Sequence, residues 1–349
     1  MTVQTVAPLA ETPLALQNRL LAGVSRTFAL TIPQLPAALR DVVGNAYLLC
    51  RIADTIEDDP QLSASAKEQY AYQFVQVLAG TQDAQTFANA VAPQISADML
   101  PLERELILHT PVIVGITQTF SSVQQASLQR CIRIMVDGMV RFQLQPRQHG
   151  LRDEAEMAEY CYHVAGVVGE MLTELYCDYS PEMNEQRAAL MRLAVGFGQG
   201  LQMTNIMKDI HTDHARGACW LPQALFTKHG FSLEDLQPGC QDPGFLKGMH
   251  ELLGISYGQL CKAMAYTLLI PAHERGLRRF CFWALAMAVS TLRKIQAKPN
   301  YRDGREVKIT RLQVKFIIAS TELAVGGERR LKWLFRTLAR GLPAPNDVN

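Results

Sequence analysis

The sequence predicts an all-α protein in which one large helical domain surrounds a central cavity. Apolar residues recur at helical spacing along most of the 349 residues, and only the short stretch 305–310 alternates in the manner of a strand. Two stretches about 150 residues apart each place aspartates four positions apart, which is about one helical turn. We expect these two acidic helix faces to oppose each other across the cavity.

Composition and charge restrict the class of function. The chain is 48% hydrophobic and 19% charged with a net charge of +1, which argues against disorder and against a general nucleic-acid binder. Its eight cysteines include no C-x-x-C pair, so we expect reduced core thiols rather than a zinc site. Residues 1–20 lack the features of a signal peptide, and no apolar run is long enough to span a membrane. We therefore expect a cytoplasmic protein, and a monomer.

The stretch 202–213 carries one acidic face. Gln202, Asn205, Asp209 and Asp213 fall at i, i+3, i+7 and i+11, so they form one stripe on a helix. Asp209 and Asp213 would repel each other unless a cation lay between them. Because oxygen ligands suit a hard cation, we expect Mg²⁺ shared with a phosphate group.

The stretch 47–59 repeats this design. Its polar residues in helical register are Tyr47, Arg51, Asp54 and Asp58, with Glu57 and Asp59 beside them. One such aspartate pair alone is more often a solvated surface than a metal site. Two pairs, each with polar partners and an apolar flank, favour a pair of faces that hold divalent ions against a diphosphate.

Apolar spacing and breaker residues delimit the other elements. Residues 1–12 and 341–349 are predicted tails around a domain of residues 13–340. Helices are predicted over about 37–58, 64–79, 84–97, 101–120, 122–144, 153–178, 244–269, 277–296 and 327–340. The last of these is amphipathic, and we expect it to dock onto the protein body rather than to rest on a lipid surface.

A tyrosine followed by small residues marks the helix 153–178. Tyr160 could offer a hydroxyl or a ring face to a cation, since Ala165, Gly166 and Gly169 let a ligand come close. Packing between helices is the alternative for both glycines. The glycines within 196–200 do not form a nucleotide loop, because their spacing is wrong and no strand precedes them, so close packing is expected there as well.

Two basic features have both a functional and a purely structural interpretation. Ser25 and Arg26 could bind an anion through a hydroxyl and a guanidinium fork, or could belong to an ordinary helix end. Eleven Lys or Arg residues between Arg275 and Lys315 could hold a phosphorylated cofactor, or could form a solvated face.

Four motifs together resemble the squalene/phytoene synthase family, over about residues 25–315. They are Ser25-Arg-Thr-Phe, Arg51-x-x-Asp-Thr-Ile-Glu-Asp-Asp59, Tyr160-Cys-Tyr-His-Val-Ala-Gly-Val-Val-Gly169 and Gln202-Met-Thr-Asn-Ile-Met-Lys-Asp209-x-x-x-Asp213. Within the family, Phe280-Cys281 and Val307-Lys308-Ile309 favour the squalene-forming members. The resemblance implies the isoprenoid synthase fold. It also implies Mg²⁺-dependent head-to-head condensation of two farnesyl diphosphates through presqualene diphosphate, followed by NADPH-dependent reduction to squalene.

Two alternatives stay open. Family members that stop without reduction make phytoene or dehydrosqualene. A non-catalytic assembly subunit of the same fold is less compatible with this sequence, because such a protein has no reason to retain paired carboxylates.

The resemblance also implies roles for individual residues. The ligands of Mg²⁺, or of Mn²⁺ in its place, would be Asp54, Glu57, Asp58, Asn205, Asp209 and Asp213. Substrate contacts would come from Ser25, Arg26, Phe28, Tyr47, Arg51, Val164, Gln202, Asn205, Lys208, Arg216 and Phe280. Tyr160 would act with the four aspartates in catalysis, and Lys308 and Arg311 would bind NADPH.

Three departures from the family pattern are visible. Lys208 stands where members usually have Arg, which keeps the charge but loses the bidentate fork. Ala218 stands where an Arg is expected, and Arg216 is the candidate to replace it. The sequence ends in a polar segment without the membrane helix of eukaryotic members. It therefore looks like a soluble bacterial form, for which peripheral contact with the inner membrane surface would serve product release.

Overall fold

The computed structural model describes residues 11–25, 27–143 and 149–346. These residues form eighteen α-helices and no β-strand, and extended backbone pairs only at an isolated bridge between Leu151 and Pro222. The stretch 305–310 is not a strand, because the Asp303 carboxylate accepts a hydrogen bond from the Arg305 backbone N–H and starts a short helix there. The predicted all-α class is confirmed.

Eight helices make up the first part of the chain. They are α1 (Pro13–Val24), α2 (Phe28–Thr31), α3 (Ala37–Asp58), α4 (Ala64–Leu78), α5 (Ala84–Val91), α6 (Pro101–Leu108), α7 (Thr110–Thr117) and α8 (Ser122–Gln143). Short 3₁₀ turns follow α2 at Ile32–Gln34 and α5 at Ala92–Gln94. The predicted helix 101–120 is two helices, because Pro111 lacks the N–H that would continue α6 and its ring clashes with the carbonyl one turn earlier.

Ten helices make up the rest. They are α9 (Glu154–Cys161), α10 (Val167–Tyr179), α11 (Pro181–Glu185), α12 (Arg187–Ala215), α13 (Gln223–Thr227), α14 (Pro243–Leu269), α15 (Arg275–Ala297), α16 (Gly304–Val307), α17 (Arg311–Ala324) and α18 (Glu328–Leu338). A 3₁₀ turn lies at Leu233–Asp235 and a π-helical turn at Tyr162–Gly166. The predicted helix 153–178 is therefore interrupted by a π turn, and α17 was not among the predicted helices.

The helix α3 has the predicted limits. Pro36 precedes its first residue, and its apolar side chains, such as Leu39 and Ile56, are buried. Asp59 then adopts an extended conformation, as expected for a residue before a proline, and the helix ends at Asp58. This helix carries the first acidic face.

The helix α12 is central to the packing. It contacts α10, the π turn, α14 and α15, and its Phe197 packs against two separate apolar clusters. One cluster is built mainly from α1 to α8 and α10, and the other from α9 and from the helices after α11. The second acidic face therefore lies on the helix with the largest shared interface.

The end of the chain packs against the body. Leu331, Leu334, Phe335 and Leu338 of α18 are buried, which confirms the predicted docking of the last helix. Beyond it, the Asn346 N–H donates a hydrogen bond of 3.1 Å to the carbonyl oxygen of Gly254 in α14. Among the described residues, no helix has both the length and the apolar character needed to cross a bilayer.

Candidate active site

The first acidic face is organised around Arg51 on α3. Its Nη2 donates a hydrogen bond of 3.1 Å to the Tyr47 hydroxyl, and its Nη1 lies 3.9 Å from Asp54 and 3.7 Å from Glu103. The Arg51 Nε is buried and has no hydrogen-bond partner among the described residues. A guanidinium with one unused buried donor is suited to an anionic ligand.

The surroundings of Asp54 on this face raise its pKa. Burial, together with the negative charges of Asp58 and Glu103, raises the pKa of Asp54 to about 7 against the opposing effect of Arg51. Glu103 on α6 was not predicted, because nothing in its local sequence distinguishes it from other helix-start glutamates. A bound cation would offset the like charges collected here.

Asp59 does not belong to the acidic face, although it directly follows Asp58. It is fully buried, and its carboxylate accepts hydrogen bonds from the N–H groups of Gln61 (2.8 Å), Leu62 (3.0 Å) and Ser96 (2.7 Å). Asp58, in contrast, is exposed. Asp59 therefore stabilises the loop after α3, and Asp58 is the residue available to a ligand.

The second acidic face lies on α12. The Lys208 Nζ donates a hydrogen bond of 3.3 Å to the Asn205 Oδ1 and lies 3.0 Å from the Asp209 carboxylate. Lys208 thus contacts two predicted metal ligands, Asn205 and Asp209. Asp213 follows Asp209 by one helical turn. Gln202 is half-buried on the same helix.

The two faces meet through Asp213. Burial and the negative charge of Asp209 raise the pKa of Asp213 to about 6, while Arg216 and Lys208 oppose this shift. The negative charge of Asp58, from α3, raises it further. The structure therefore brings the two acidic faces within electrostatic range of each other, and it places Arg216 beside Asp213.

Tyr160 lies between the two faces. It is buried, its ring stacks on Trp220 with centroids 4.1 Å apart, and Phe142 meets it edge-on at 5.2 Å. Burial raises the pKa of the Tyr160 hydroxyl, and the charges of Glu57, Asp213 and Asp58 add to this. Trp220 was not predicted as a site residue, and its stacking on Tyr160 becomes visible only in the structure.

The small residues near Tyr160 serve close helix packing. A Cβ atom at Gly169 would lie 2.2 Å from the carbonyl oxygen of Ala194, and one at Gly198 would lie 2.1 Å from that of Ala165. The packing interpretation of these glycines is confirmed. Val164 lies half-buried in the π turn, a backbone feature that often marks functional sites.

Three aromatic residues named in the sequence analysis lie together. The ring of Phe28 is 5.3 Å from that of Tyr47 and 6.2 Å from that of Phe280. Next to them, the Ser25 hydroxyl oxygen accepts hydrogen bonds from the N–H groups of Phe28 (3.0 Å) and Ala29 (3.3 Å), the first two residues of α2. Arg26 lies outside the described residues.

The segment after α15 approaches the second acidic face. The Tyr301 hydroxyl donates a hydrogen bond to the carbonyl oxygen of Met207, and a Cβ atom at Gly304 would lie 3.1 Å from the Asp209 Oδ1. Lys308 and Arg311 follow, are exposed, and form no ion pair with any residue in the described ranges. Neither Tyr301 nor Gly304 was predicted.

Most of the other basic residues in this segment have partners. Arg278 donates to the carbonyl oxygens of Ile270 and Val325, Arg279 pairs with Glu322, and Lys294 donates to the carbonyl oxygen of Lys308. The basic stretch is therefore largely used in the fold. Lys308 and Arg311 are among its members whose side chains have no partner in the described ranges, together with Arg275, Arg302 and Lys315.

The donor set fits Mg²⁺. Carboxylate and amide oxygens suit a hard cation, and Asp54 and Asp213 both lie among like charges that a cation would offset. In the part of the chain that the structure describes, no three Asp, Glu, His or Cys side chains converge on one point. Mg²⁺ is usually bound by one or two carboxylates together with substrate phosphates and water.

Comparison with protein families identifies the chain. The sequence model of squalene/phytoene synthases matches residues 21–313. The chain belongs to the squalene/phytoene synthase family. Among curated members it is 28% identical over 332 residues to a probable squalene synthase of Neurospora crassa, covering 93% of this chain and 64% of that protein. It is 27% identical over 336 residues to a squalene synthase of Cyberlindnera jadinii, covering 95% and 72%. The chain thus spans slightly under two thirds of the Neurospora relative.

Solved structures of squalene/phytoene synthases share the fold. The complex of TcSQS with the ligand BPH1237 has a TM-score of 0.74 and 21% identity, covering 95% of this chain and 98% of the other. A dehydrosqualene synthase in complex with a ligand has a TM-score of 0.62 and 20% identity, covering 89% and 95%. The isoprenoid synthase fold is therefore confirmed.

Proposed function

We propose that this protein is a squalene synthase that joins two farnesyl diphosphates head to head through presqualene diphosphate and reduces the product with NADPH. One observation carries the proposal. In a chain of this family, Asp58 on α3 and Asp213 on α12 interact electrostatically beside the buried Tyr160. The product would be the hydrocarbon precursor of sterols and hopanoids. A monomer acting in the cytoplasm is part of the proposal.

The acidic faces would bind and orient the diphosphate groups. Mg²⁺ held by Asp54, Glu57, Asp58, Asn205, Asp209 and Asp213 would supply positive charge to the departing diphosphate. Arg51, which has an unused buried donor, and Arg216, which lies beside Asp213, would bind diphosphate oxygens directly. Lys208 keeps Asn205 and Asp209 in position.

Aromatic side chains would protect the cations that follow ionisation. Phe28, Tyr47 and Phe280 form a contiguous aromatic surface next to Arg51, where the allylic chain would lie. Aromatic faces attract cations and exclude the water that would quench them. Tyr160, whose ring stacks on Trp220, would direct proton loss as the cyclopropane ring closes.

The reductive step would use the exposed cations after α16. NADPH would supply the hydride, and its 2′-phosphate would be recognised by Lys308 and Arg311. Support comes from the position of this segment, since Gly304 packs against Lys208 and Asp209 on the second acidic face.

Incubation with farnesyl diphosphate and Mg²⁺, with and without NADPH, tests the proposal. Squalene should form only with NADPH, and presqualene diphosphate or its derivatives should accumulate without it. A single dehydrosqualene or phytoene product, in the same yield with and without NADPH, would assign the protein to the non-reducing members. No consumption of farnesyl diphosphate would favour the non-catalytic alternative. Size-exclusion chromatography tests the monomer.

A further inference from the structure

The helix α17 turns large apolar side chains outward. Leu312, Phe316 and Leu323 fall at i, i+4 and i+11, so they lie on one stripe, and each is between 60% and 77% exposed. The opposite side of α17, which includes Ile317 and Thr321, is buried. The exposed stripe is about 17 Å long at 1.5 Å per residue. Packing within the fold does not account for it.

A tryptophan on α18 is exposed as well. Trp333 is 68% exposed, although the other large apolar residues of α18 are buried. The Arg330 Nη1 donates a hydrogen bond of 2.9 Å to the carbonyl oxygen of Leu323, which ties the start of α18 to the end of α17. Because Trp333 follows Arg330 by three positions, it lies on the same side of α18. We call Leu312, Phe316, Leu323 and Trp333 the outer apolar stripe.

Positive charge surrounds the outer apolar stripe. Residues 311–340 contain seven Lys or Arg and two Asp or Glu, a net charge of +5 in a chain whose net charge is +1. Both acidic residues are neutralised locally, because Glu322 pairs with Arg279 and Glu328 pairs with Lys332. The surface of α17 and α18 is therefore the cationic part of a molecule that is otherwise net acidic.

We propose that the outer face of α17 and α18 is a docking surface for an anionic lipid bilayer. The outer apolar stripe would insert among the lipid head groups, and the surrounding Lys and Arg side chains would contact lipid phosphates. Charge selects this occupant over a second copy of the chain, since pairing two such surfaces would bring two clusters of net charge +5 together. The inference concerns a surface outside the acidic faces and does not depend on the proposed function.

Vesicle cosedimentation of the full chain tests this inference. We expect binding to vesicles of phosphatidylglycerol mixed equally with phosphatidylcholine, little binding to pure phosphatidylcholine, and release as ionic strength rises. The double variant Leu312→Gln/Phe316→Gln should bind the anionic vesicles at least about tenfold more weakly. The matched control Leu100→Gln/Leu108→Gln removes apolar side chains that are 55–60% exposed at α6 and should bind like the parent.

Tryptophan fluorescence supplies a second readout. Trp333 is the most exposed of the three tryptophans, since Trp220 is half-buried and Trp283 is buried, so its emission should shift to shorter wavelength on vesicle binding and this shift should vanish in Trp333→Phe. Circular dichroism should show unchanged folding in every variant. Failure of the parent protein to bind anionic vesicles, or unchanged binding by the double variant, would overturn the inference. A dimer that the double variant dissociates, without vesicle binding by the parent, would assign the surface to a second copy instead.

Discussion

Tyr160 and Trp220 lie face to face, with ring centroids 4.1 Å apart and planes inclined by 3°. Tyr160 belongs to α9, just before the π turn, and Trp220 follows the end of α12. Their contact joins the helix that carries the candidate catalytic hydroxyl to the helix that carries the second acidic face. The hydroxyl is held within electrostatic range of both Asp58 and Asp213.

The first prediction concerns this hydroxyl. Tyr160→Phe keeps the ring stack, so the melting temperature should stay close to that of the parent. The turnover number for farnesyl diphosphate should fall by at least about tenfold, as for loss of a positioned proton-transfer group. Tyr72→Phe, which changes a partly exposed tyrosine of α4, is the control and should leave turnover unchanged. A normal rate in Tyr160→Phe would return Tyr160 to a purely structural role.

The second prediction concerns the carboxylates of the two acidic faces. Asp58→Asn and Asp209→Asn should abolish turnover without lowering the melting temperature, because these side chains serve a ligand more than packing. Asp54→Asn is expected to be inactive for the same reason. Near-normal activity in any of these variants at saturating Mg²⁺ would contradict the two-face site.

Asp59→Asn is the matched comparison for Asp58→Asn. Both oxygens of the Asp59 carboxylate accept hydrogen bonds from backbone N–H groups, namely those of Gln61, Leu62 and Ser96. In the variant, the amide NH₂ would replace one of these oxygens and would face an N–H donor. We expect a loss of about 1–3 kcal/mol in the free energy of unfolding, measured with urea. Equal stability of the Asp58→Asn and Asp59→Asn variants would argue against the distinction.

The third prediction concerns packing beneath the second acidic face. Gly198→Ala would place a Cβ atom 2.1 Å from the carbonyl oxygen of Ala165 and force α12 away from the π turn. The free energy of unfolding should fall by about 1–3 kcal/mol or more. Gly115→Ala in α7 meets nothing within 4 Å, so it should raise the free energy by about 0.5–1 kcal/mol through helix propensity. Similar effects of the two substitutions would show that α12 tolerates displacement.

The fourth prediction concerns NADPH. Lys308→Ala should raise the KM for NADPH about tenfold or more, since a charge-assisted hydrogen bond is worth about 1.5–3 kcal/mol. Formation of presqualene diphosphate should be nearly unchanged. Arg305→Ala is the control, because this nearby guanidinium already pairs with Asp303. A KM that responds equally to both substitutions would place the cofactor elsewhere.

Local features were predictable because they depend on neighbouring residues alone. The limits of α3 follow from Pro36, Pro60 and the apolar repeat between them, and the structure has the same limits. The one-turn spacing of Asp54 and Asp58 needs only the helical period. The packing role of Gly169 follows from its lack of a side chain within an apolar helix.

Other features depended on residues far away in the chain. Asp58 and Asp59 have the same side chain and adjacent positions, yet Asp58 is exposed on the acidic face, whereas Asp59 is buried and accepts a hydrogen bond from the Ser96 N–H. The π turn and α17 were not predicted. The π turn packs against α12 and α17 packs against α15, although the capping box of Thr310 and Gln313 is a local signal for the start of α17.

By itself the sequence determined the all-α class, the limits of α3 and the two acidic stripes, because helix period and breaker residues act over a few neighbouring positions. Only the tertiary structure decided that Asp58 lies near Asp213, that Trp220 holds Tyr160, and that α17 exposes its apolar residues. These relationships join segments separated by tens to hundreds of residues. They result from the way whole helices pack, which no local spacing in the chain specifies.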